Sequence, residues 1–202
     1  MPNIRIISHR EGSGSAWVAE KLCKDGLEII SLDISFANVK KALETYKSEH
    51  HFGVVGDGLK VPFKEKSFDC IIASEVIEHT VEPQLFIAEL KGLLKEGGVL
   101  IISTPYKEEL QYSICIHCNQ PTPKNAHLHS FDENKLIQYF EQKDRKQVKH
   151  YIFGNKALLV LRTYTILQFL PIGLWKFIDR IASFIMNRKN HIIIKYQNND
   201  KK

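Results

Sequence analysis

The sequence predicts an α/β fold, a mostly parallel sheet with helices between its strands, and three observations carry that prediction. Short β-rich apolar runs alternate with segments of helical period, a glycine loop stands between the first strand and the first helix, and acidic residues follow the second and third strands. The 202 residues, 44% of them hydrophobic, suffice for one sizeable core and are short for two independent ones. Residues 1–202 are therefore read as one domain.

The strands are expected at Ile4 to Ile7, Ile29 to Leu32, Val54-Val55, Cys70 to Ala73 and Val99 to Ile102. Between them, Ala16 to Leu22 and Ala37 to Tyr46 read as helices, and Leu85 to Leu94 places Phe86, Leu90, Leu93 and Leu94 along one face. Gly97-Gly98 is expected to stop that helix and open the next strand. After Pro105 the rhythm breaks into a loop of Cys, His, Pro and Asn, ending where Ser130 or Asp132 can cap a helix through Phe140. Gln147 to Phe153 and Ile192 to Ile194 read as two late strands flanking an apolar insertion, Ala157 to Met186.

Glu11-Gly12-Ser13-Gly14-Ser15-Ala16 lies directly after the first strand, where glycines let the backbone approach a ligand and a helix N-terminus offers N–H groups. By itself the loop is equally an ordinary tight turn. Asp33, closing the second strand with Ile34 beside it, stands about 20 residues on, where a carboxylate can accept both hydroxyls of an adenosine ribose. The plain alternative for Asp33 is a helix cap. Asp57, followed by Gly58, comes after the third strand and can accept from an adenine amino group, although glycine-flanked Asp is also a common turn.

Val54 to Phe63, followed by Phe68-Asp69-Cys70-Ile71-Ile72-Ala73-Ser74-Glu75-Val76-Ile77-Glu78-His79 and by Leu94 to Pro105, resembles the class I S-adenosylmethionine (SAM)-dependent methyltransferases. The nearest likeness is the broad type 11 group that includes ubiquinone- and menaquinone-pathway enzymes. The resemblance implies a Rossmann-like, seven-stranded, mostly parallel sheet with helices on both faces and SAM across the C-terminal strand ends. It divides the chain into a cofactor-binding half, 1–105, and an acceptor side, 106–202. By position it places Gly12 and Gly14 at the methionine part of SAM, Asp33 with Ile34 at the ribose, Asp57 and Gly58 at the adenine, and Ser74 and Glu75 beneath the sulfonium. The first motif departs from the family: Arg10 stands where an acid ends the first strand, Ala16 where a third glycine stands, and Glu11 is one place off. Either the loop shifts so that Glu11 serves, or Arg10 sets a cation near a cationic cofactor.

His79 is the candidate acid or base, since an unperturbed imidazole titrates near neutrality; the alternative is a histidine that only shapes the pocket. Cys115, Cys118, His127 and His129 have donors suited to a tetrahedral structural zinc, and some members of the resembled group carry a similar segment. Otherwise these are free thiols with one histidine facing the acceptor. The 157–186 insertion, whose longest uncharged run is too short to span a bilayer, reads as a lid over the acceptor or a peripheral membrane contact, with Phe177, Ile178, Ile181 and Ile185 at helical spacing.

The net charge of +5 comes from scattered lysines without a dense basic block, which argues against nucleic acid. The first residues lack the apolar stretch of a secretory signal, giving a cytoplasmic expectation. The function expected is methyl transfer from SAM to oxygen or carbon of a small or lipophilic acceptor. The alternative is a catalytically silent, methyltransferase-like scaffold. A nicotinamide-dependent oxidoreductase is disfavoured by Trp17, where a dinucleotide fingerprint needs its last glycine.

Overall fold

The structure, a computed structural model, describes residues 5–10, 16–155, 169–185 and 189–199. Its strands are β1 (Arg5–Arg10), β2 (Glu28–Asp33), β3 (His51–Val55), β4 (Phe68–Ser74), β5 (Leu94–Pro105), β6 (Tyr112–Ile114), β7 (Pro121–Pro123), β8 (Val148–Asn155) and β9 (Lys189–Gln197). Its helices are α1 (Trp17–Leu22), α2 (Phe36–Thr45), α3 (Pro83–Leu93), α4 (Glu133–Gln138) and α5 (Ile172–Ile185). Seven strands form one sheet in the order β3-β2-β1-β4-β5-β9-β8, and β6 and β7 pair as a separate hairpin. The pairs among β1 to β5 are parallel, whereas β9 runs antiparallel to both β5 and β8.

Strand alternation gives the sheet two buried faces. Ile71 and Ala73 enter a large core with Phe86, Leu90, Leu100, Phe131 and Ile194, whereas Cys70 and Ile72 pack on the opposite side against Val18, Ala19, Cys23 and Ala42. Helices α3 and α4 contribute to the first core, and α1 and α2 to the second. Covering both faces is what allows a parallel sheet of near-continuous apolar strands to stay out of water.

Several boundaries differ from the sequence reading. Helix α3 starts at Pro83, whose ring suits a first-turn position, and ends at Leu93, so β5 begins directly at Leu94. Gly97-Gly98 therefore lies inside the strand, next to a register shift between Phe68 and Cys70. Gly97 has φ +76°, and a Cβ on Gly98 would stand 2.9 Å from the Lys95 carbonyl oxygen, so the glycines shape a bulge rather than stop a helix. Of the two cap candidates, Asp132 caps α4 by accepting from the Lys135 N–H at 2.8 Å. The late strands are longer than expected. In the insertion, residues 156–168 and 186–188 lie outside the described residues, and α5 occupies the rest.

Register fixes where a ligand can sit. Val55 pairs with Asp33, Arg10 with Ser74 and Ser74 with Ser103, so these residues form a row at the C-terminal strand ends. The chain builds outward from β1 through β2 to β3, then crosses back to place β4 on the other side of β1. Such a reversal opens a crevice above the strand ends, the usual ligand site of open α/β sheets.

Candidate active site

Two parts of the site follow from that row. On the β2–β3 side, Asp33 is 6% exposed. Its Oδ1 accepts from the Ser35 N–H at 2.8 Å and its Oδ2 from the Asn38 side-chain amide at 3.1 Å. The cap of α2 is Ser35, which accepts from Asn38 N–H, so Asp33 is not itself the cap. Its carboxylate is pinned at the strand end with further lone pairs on each oxygen. Ile34, 68% exposed, stands next to it as an apolar surface. Asp57 is exposed and accepts from the Leu59 N–H at 2.9 Å, in a tight turn where Lys60 N–H also donates to the Asp57 carbonyl. Glu11, Gly12 and Gly14 lie outside the described residues.

At the end of β4, Ser74 and Ser103 hydroxyls lie 2.9 Å apart, and Ser103 donates to Glu75 Oε1 at 3.1 Å. Glu75 Oε2 is 3.4 Å from His191 Nε2 on β9. Glu75 has φ +56°, a left-handed conformation uncommon for a side chain of this kind, and its N–H donates to the Ser103 carbonyl. The strand end thus stores some strain at the point where cofactor and acceptor are expected to meet.

The next turn carries the acceptor side. Ile77–His79 forms a single 3-10 turn that sinks Glu78 to 1% exposure and leaves His79 half-buried. Glu78 Oε2 accepts from the Thr104 hydroxyl at 3.0 Å, and Glu78 Oε1 is buried with no hydrogen-bond partner. Burial pushes the Glu78 carboxyl up to about 7, with the nearby Glu75 charge adding to it against hydrogen bonds from its own backbone and from Thr104. The 127–129 segment is laid against this turn by backbone bonds: Leu128 and His129 N–H groups both donate to the Glu78 carbonyl.

The expected Cys/His quartet is not assembled. His127 turns toward Glu78 and His79, and its Nδ1 sits 2.5 Å from Glu108 Oε2. Its ring packs edge-on to that of His79, with centroids 4.7 Å apart. His129 instead donates from Nε2 to the Thr80 carbonyl at 3.0 Å, with its ring tilted against that of Phe131. Cys115 and Cys118 stay together at the tip of the β6–β7 hairpin, where the Cys118 and His117 backbone N–H groups and the Cys118 side chain lower the Cys115 pKa. The physical reason is partnering: the Leu128 and His129 N–H groups tie the segment to the Glu78 carbonyl, and there the His127 ring is held by Glu108 and the His129 ring by the Thr80 carbonyl. Among the described residues the one group of three or more potential metal donors is Glu78, His79 and His127, whose donor atoms all lie within 4.8 Å of one another.

Sequence reasoning singled out His79 and His127 but gave no role to Glu78, Thr104, Glu108 or His191. Glu78 carried a usable signal, a carboxylate adjoining the candidate base in a strand-end motif. Glu108 and His191 carried none, because their partners are distant in sequence.

A family model described as a methyltransferase domain matches residues 10–102. The chain is 29% identical over 125 residues to ubiquinone biosynthesis O-methyltransferase of Pelagibacter ubique, covering 57% of this chain and 48% of that protein. It is 32% identical over 127 residues to the protein of the same name from Rickettsia felis, covering 59% and 51% respectively. The chain spans about half the length of these relatives. Among solved structures, phosphoethanolamine N-methyltransferase 2 of Haemonchus contortus in complex with SAM superposes with a TM-score of 0.63 over 98% of this chain and 49% of that one. At 14% identity that likeness shows a shared fold. Residues 10–102 thus resemble a methyltransferase domain, and the strand order with one reversed strand is the fold shared with these solved structures.

Proposed function

We propose that the chain transfers the methyl group of SAM to an oxygen of a small, lipophilic, quinone-like acceptor. The observation that carries this reading is Asp33, a buried carboxylate at the C-terminal end of β2, beside the crevice where the strand order reverses within a matched methyltransferase domain. In this reading Asp33 accepts from the ribose hydroxyls, Ile34 lies along the nucleoside, and Asp57 with Gly58 meets the adenine. Glu11, Gly12 and Gly14 serve the methionine part, and Ser74 and Glu75 line the floor under the sulfonium.

The chemistry asks little of side chains. The acceptor oxygen attacks the methyl carbon in line as the carbon–sulfur bond breaks, S-adenosylhomocysteine leaves neutral, and the hydroxyl proton departs on the His79 side. Positioning and exclusion of water supply most of the acceleration. The relatives named for ubiquinone biosynthesis support an aromatic hydroxyl on a lipophilic molecule.

Helix α5 supports the same acceptor class. Leu174, Phe177, Ile181 and Phe184 are exposed and recur along one side of the helix, while Asp179, near Lys189, is buried on the other. Lys176 and Arg180 are exposed beside that stripe. An outward apolar stripe flanked by cations suits peripheral contact with a membrane surface from which a lipophilic substrate is drawn. No described helix is long and apolar enough to cross a membrane.

Calorimetric titration with SAM and S-adenosylhomocysteine tests the cofactor reading, and transfer of a labelled methyl group to catechol-type quinone precursors in detergent tests the acceptor. Heat with both ligands and label on the aromatic oxygen is expected. No heat at millimolar ligand would instead make the chain a methyltransferase-like scaffold.

A further inference from the structure

We propose that Cys115 and Cys118 are a redox-active pair, which exchanges with a low-molecular-weight disulfide of the glutathione type and closes an intrachain disulfide that latches the β6–β7 hairpin. The inference uses no part of the methyl-transfer reading. It rests on how the hairpin is built and on where its two thiols stand.

The hairpin is thinly held. Its three-residue strands pair with each other as a sheet separate from the main one, and five of their six residues are exposed. Pro121 and Pro123 stand opposite Ile114 and Tyr112, and neither ring nitrogen can donate to the ladder. Backbone bonds flank the strands, from Cys115 N–H to the Gln120 carbonyl at 2.9 Å and from Lys124 N–H to the Gln111 carbonyl at 2.8 Å. An isolated two-stranded hairpin is marginal in water. A covalent link at its tip offsets that weakness by removing chain freedom from the opened state.

The tip is shaped for such a link. Cys115 and Cys118 bracket a turn closed by the Asn119 N–H on the Cys115 carbonyl at 2.9 Å, and Asn119, at φ +54°, turns the chain back toward β7. A turn of this kind holds Cα atoms three residues apart within about 7 Å, a separation a disulfide can span. The Cys118 and His117 backbone N–H groups point at the Cys115 sulfur, the Cys118 thiol donates to it as well, and all three favour the Cys115 thiolate. Cys118 is exposed, whereas Cys23 and Cys70 pack in the second core.

The order of events follows from that asymmetry. The Cys115 thiolate attacks one sulfur of the external disulfide, forming a mixed disulfide and releasing one external thiolate. Cys118, deprotonated in its turn, attacks the Cys115 sulfur and releases the second. Two protein thiols are oxidised, one external disulfide is reduced to two thiols, and the protons lost by the cysteines end on those thiols. The latch bears on the acceptor side. Gln111 and Lys124 at the hairpin base line a polar cavity of about 350 Å³ together with Glu108, Asn125 and His127. The chain leaving β7 goes on to the contact of Ala126 with His79 and to the bonds of Leu128 and His129 with the Glu78 carbonyl.

The test equilibrates the full chain in buffers of reduced and oxidised glutathione, then quenches, unfolds and alkylates it for peptide mass spectrometry. Loss of two hydrogens confined to the peptide carrying Cys115 and Cys118 is expected, at ratios where Cys23 and Cys70 remain alkylated. Cys118→Ser should stop at the glutathione adduct on Cys115, and Cys115→Ser should form its adduct on Cys118 roughly three- to tenfold more slowly. Amide exchange across 111–124 should slow by about tenfold in the oxidised chain, with β1 to β5 unchanged. No disulfide at any ratio, a disulfide joining two chains instead, equal adduct rates in the two variants, or equal hairpin exchange in both redox states would overturn the latch. So would resistance of both cysteines to glutathione that a chelator removes, since a bound metal would then hold the thiolates.

Discussion

The acids of the cofactor row and the carboxylate of the acceptor cluster are held in opposite ways. Asp33 and Asp57 take their donors from residues two to five positions on, in turns that orient the carboxylate as soon as the local chain is formed. Glu78 takes its side-chain donor from Thr104, 26 residues away, and the His79 ring donates to Ala126, 47 residues away. The first region is built by local turn chemistry on strand ends, and the second is complete only once the 106–131 segment has closed over the turn that follows β4. A cofactor site of the first kind should tolerate damage to the loop, whereas the acceptor cluster should not.

The largest expected separation comes from His79→Ala. Turnover should fall by about 100-fold or more, since the proton-accepting group is gone, while affinity for S-adenosylhomocysteine stays within about twofold. Single-turnover rates set beside calorimetry check both halves of the statement. A parallel loss of cofactor affinity would show that the two regions are coupled after all.

The reverse experiment is smaller. Asp33→Ala should weaken SAM by about 1–3 kcal/mol, through loss of a charged acceptor for two hydroxyls. Because Asp33 also holds Ser35 and Asn38, Asn38→Ala is the control that removes the local support and keeps the carboxylate. Equal losses in the two variants would reduce Asp33 to a turn support. Asp57→Asn should cost less than Asp33→Ala, since the amide oxygen still accepts from Leu59 N–H and from adenine.

The same contrast explains what the sequence disclosed. The alternation of strands and helices, the acid after β2 and the run from Phe68 to His79 are local patterns, and the sheet order realises them. The helix–strand joint at Leu93-Leu94 was misjudged because Gly97-Gly98 looks like a stop, when the glycines instead serve a register shift against β4 that only pairing reveals. The Cys/His quartet stays apart for a similar reason. Spacing made Cys115, Cys118, His127 and His129 neighbours on paper, but the backbone bonds from Leu128 and His129 to Glu78 carry His127 to the β4 turn and away from the hairpin. No periodicity could have paired Glu108 with His127 or Glu75 with His191.

The cysteines offer the finest test, because they divide between the same two regions. Cys70 lies on β4 against the second core, and burial pushes its thiol up to about 11, with a smaller rise from Asp69 set against the Lys195 charge. Cys23 is buried in the same core, and its pKa is raised by that burial. Cys115 is shifted the other way, by backbone N–H groups at the hairpin tip. Alkylating agents react with thiolates, and at pH 8 a thiol of pKa 11 is ionised in roughly one molecule in a thousand. Brief iodoacetamide treatment of the native chain should therefore label Cys115 first and leave Cys70 and Cys23 unmodified, as read by peptide mass spectrometry. Labelling of the hairpin should leave S-adenosylhomocysteine affinity unchanged, since the cofactor row uses no cysteine. Protection of Cys115 that disappears on adding a chelator would mean that the hairpin holds metal. It would return the clip to the Cys/His loop and remove the distinction between a locally built cofactor row and an acceptor cluster closed by Glu78, His79 and His127.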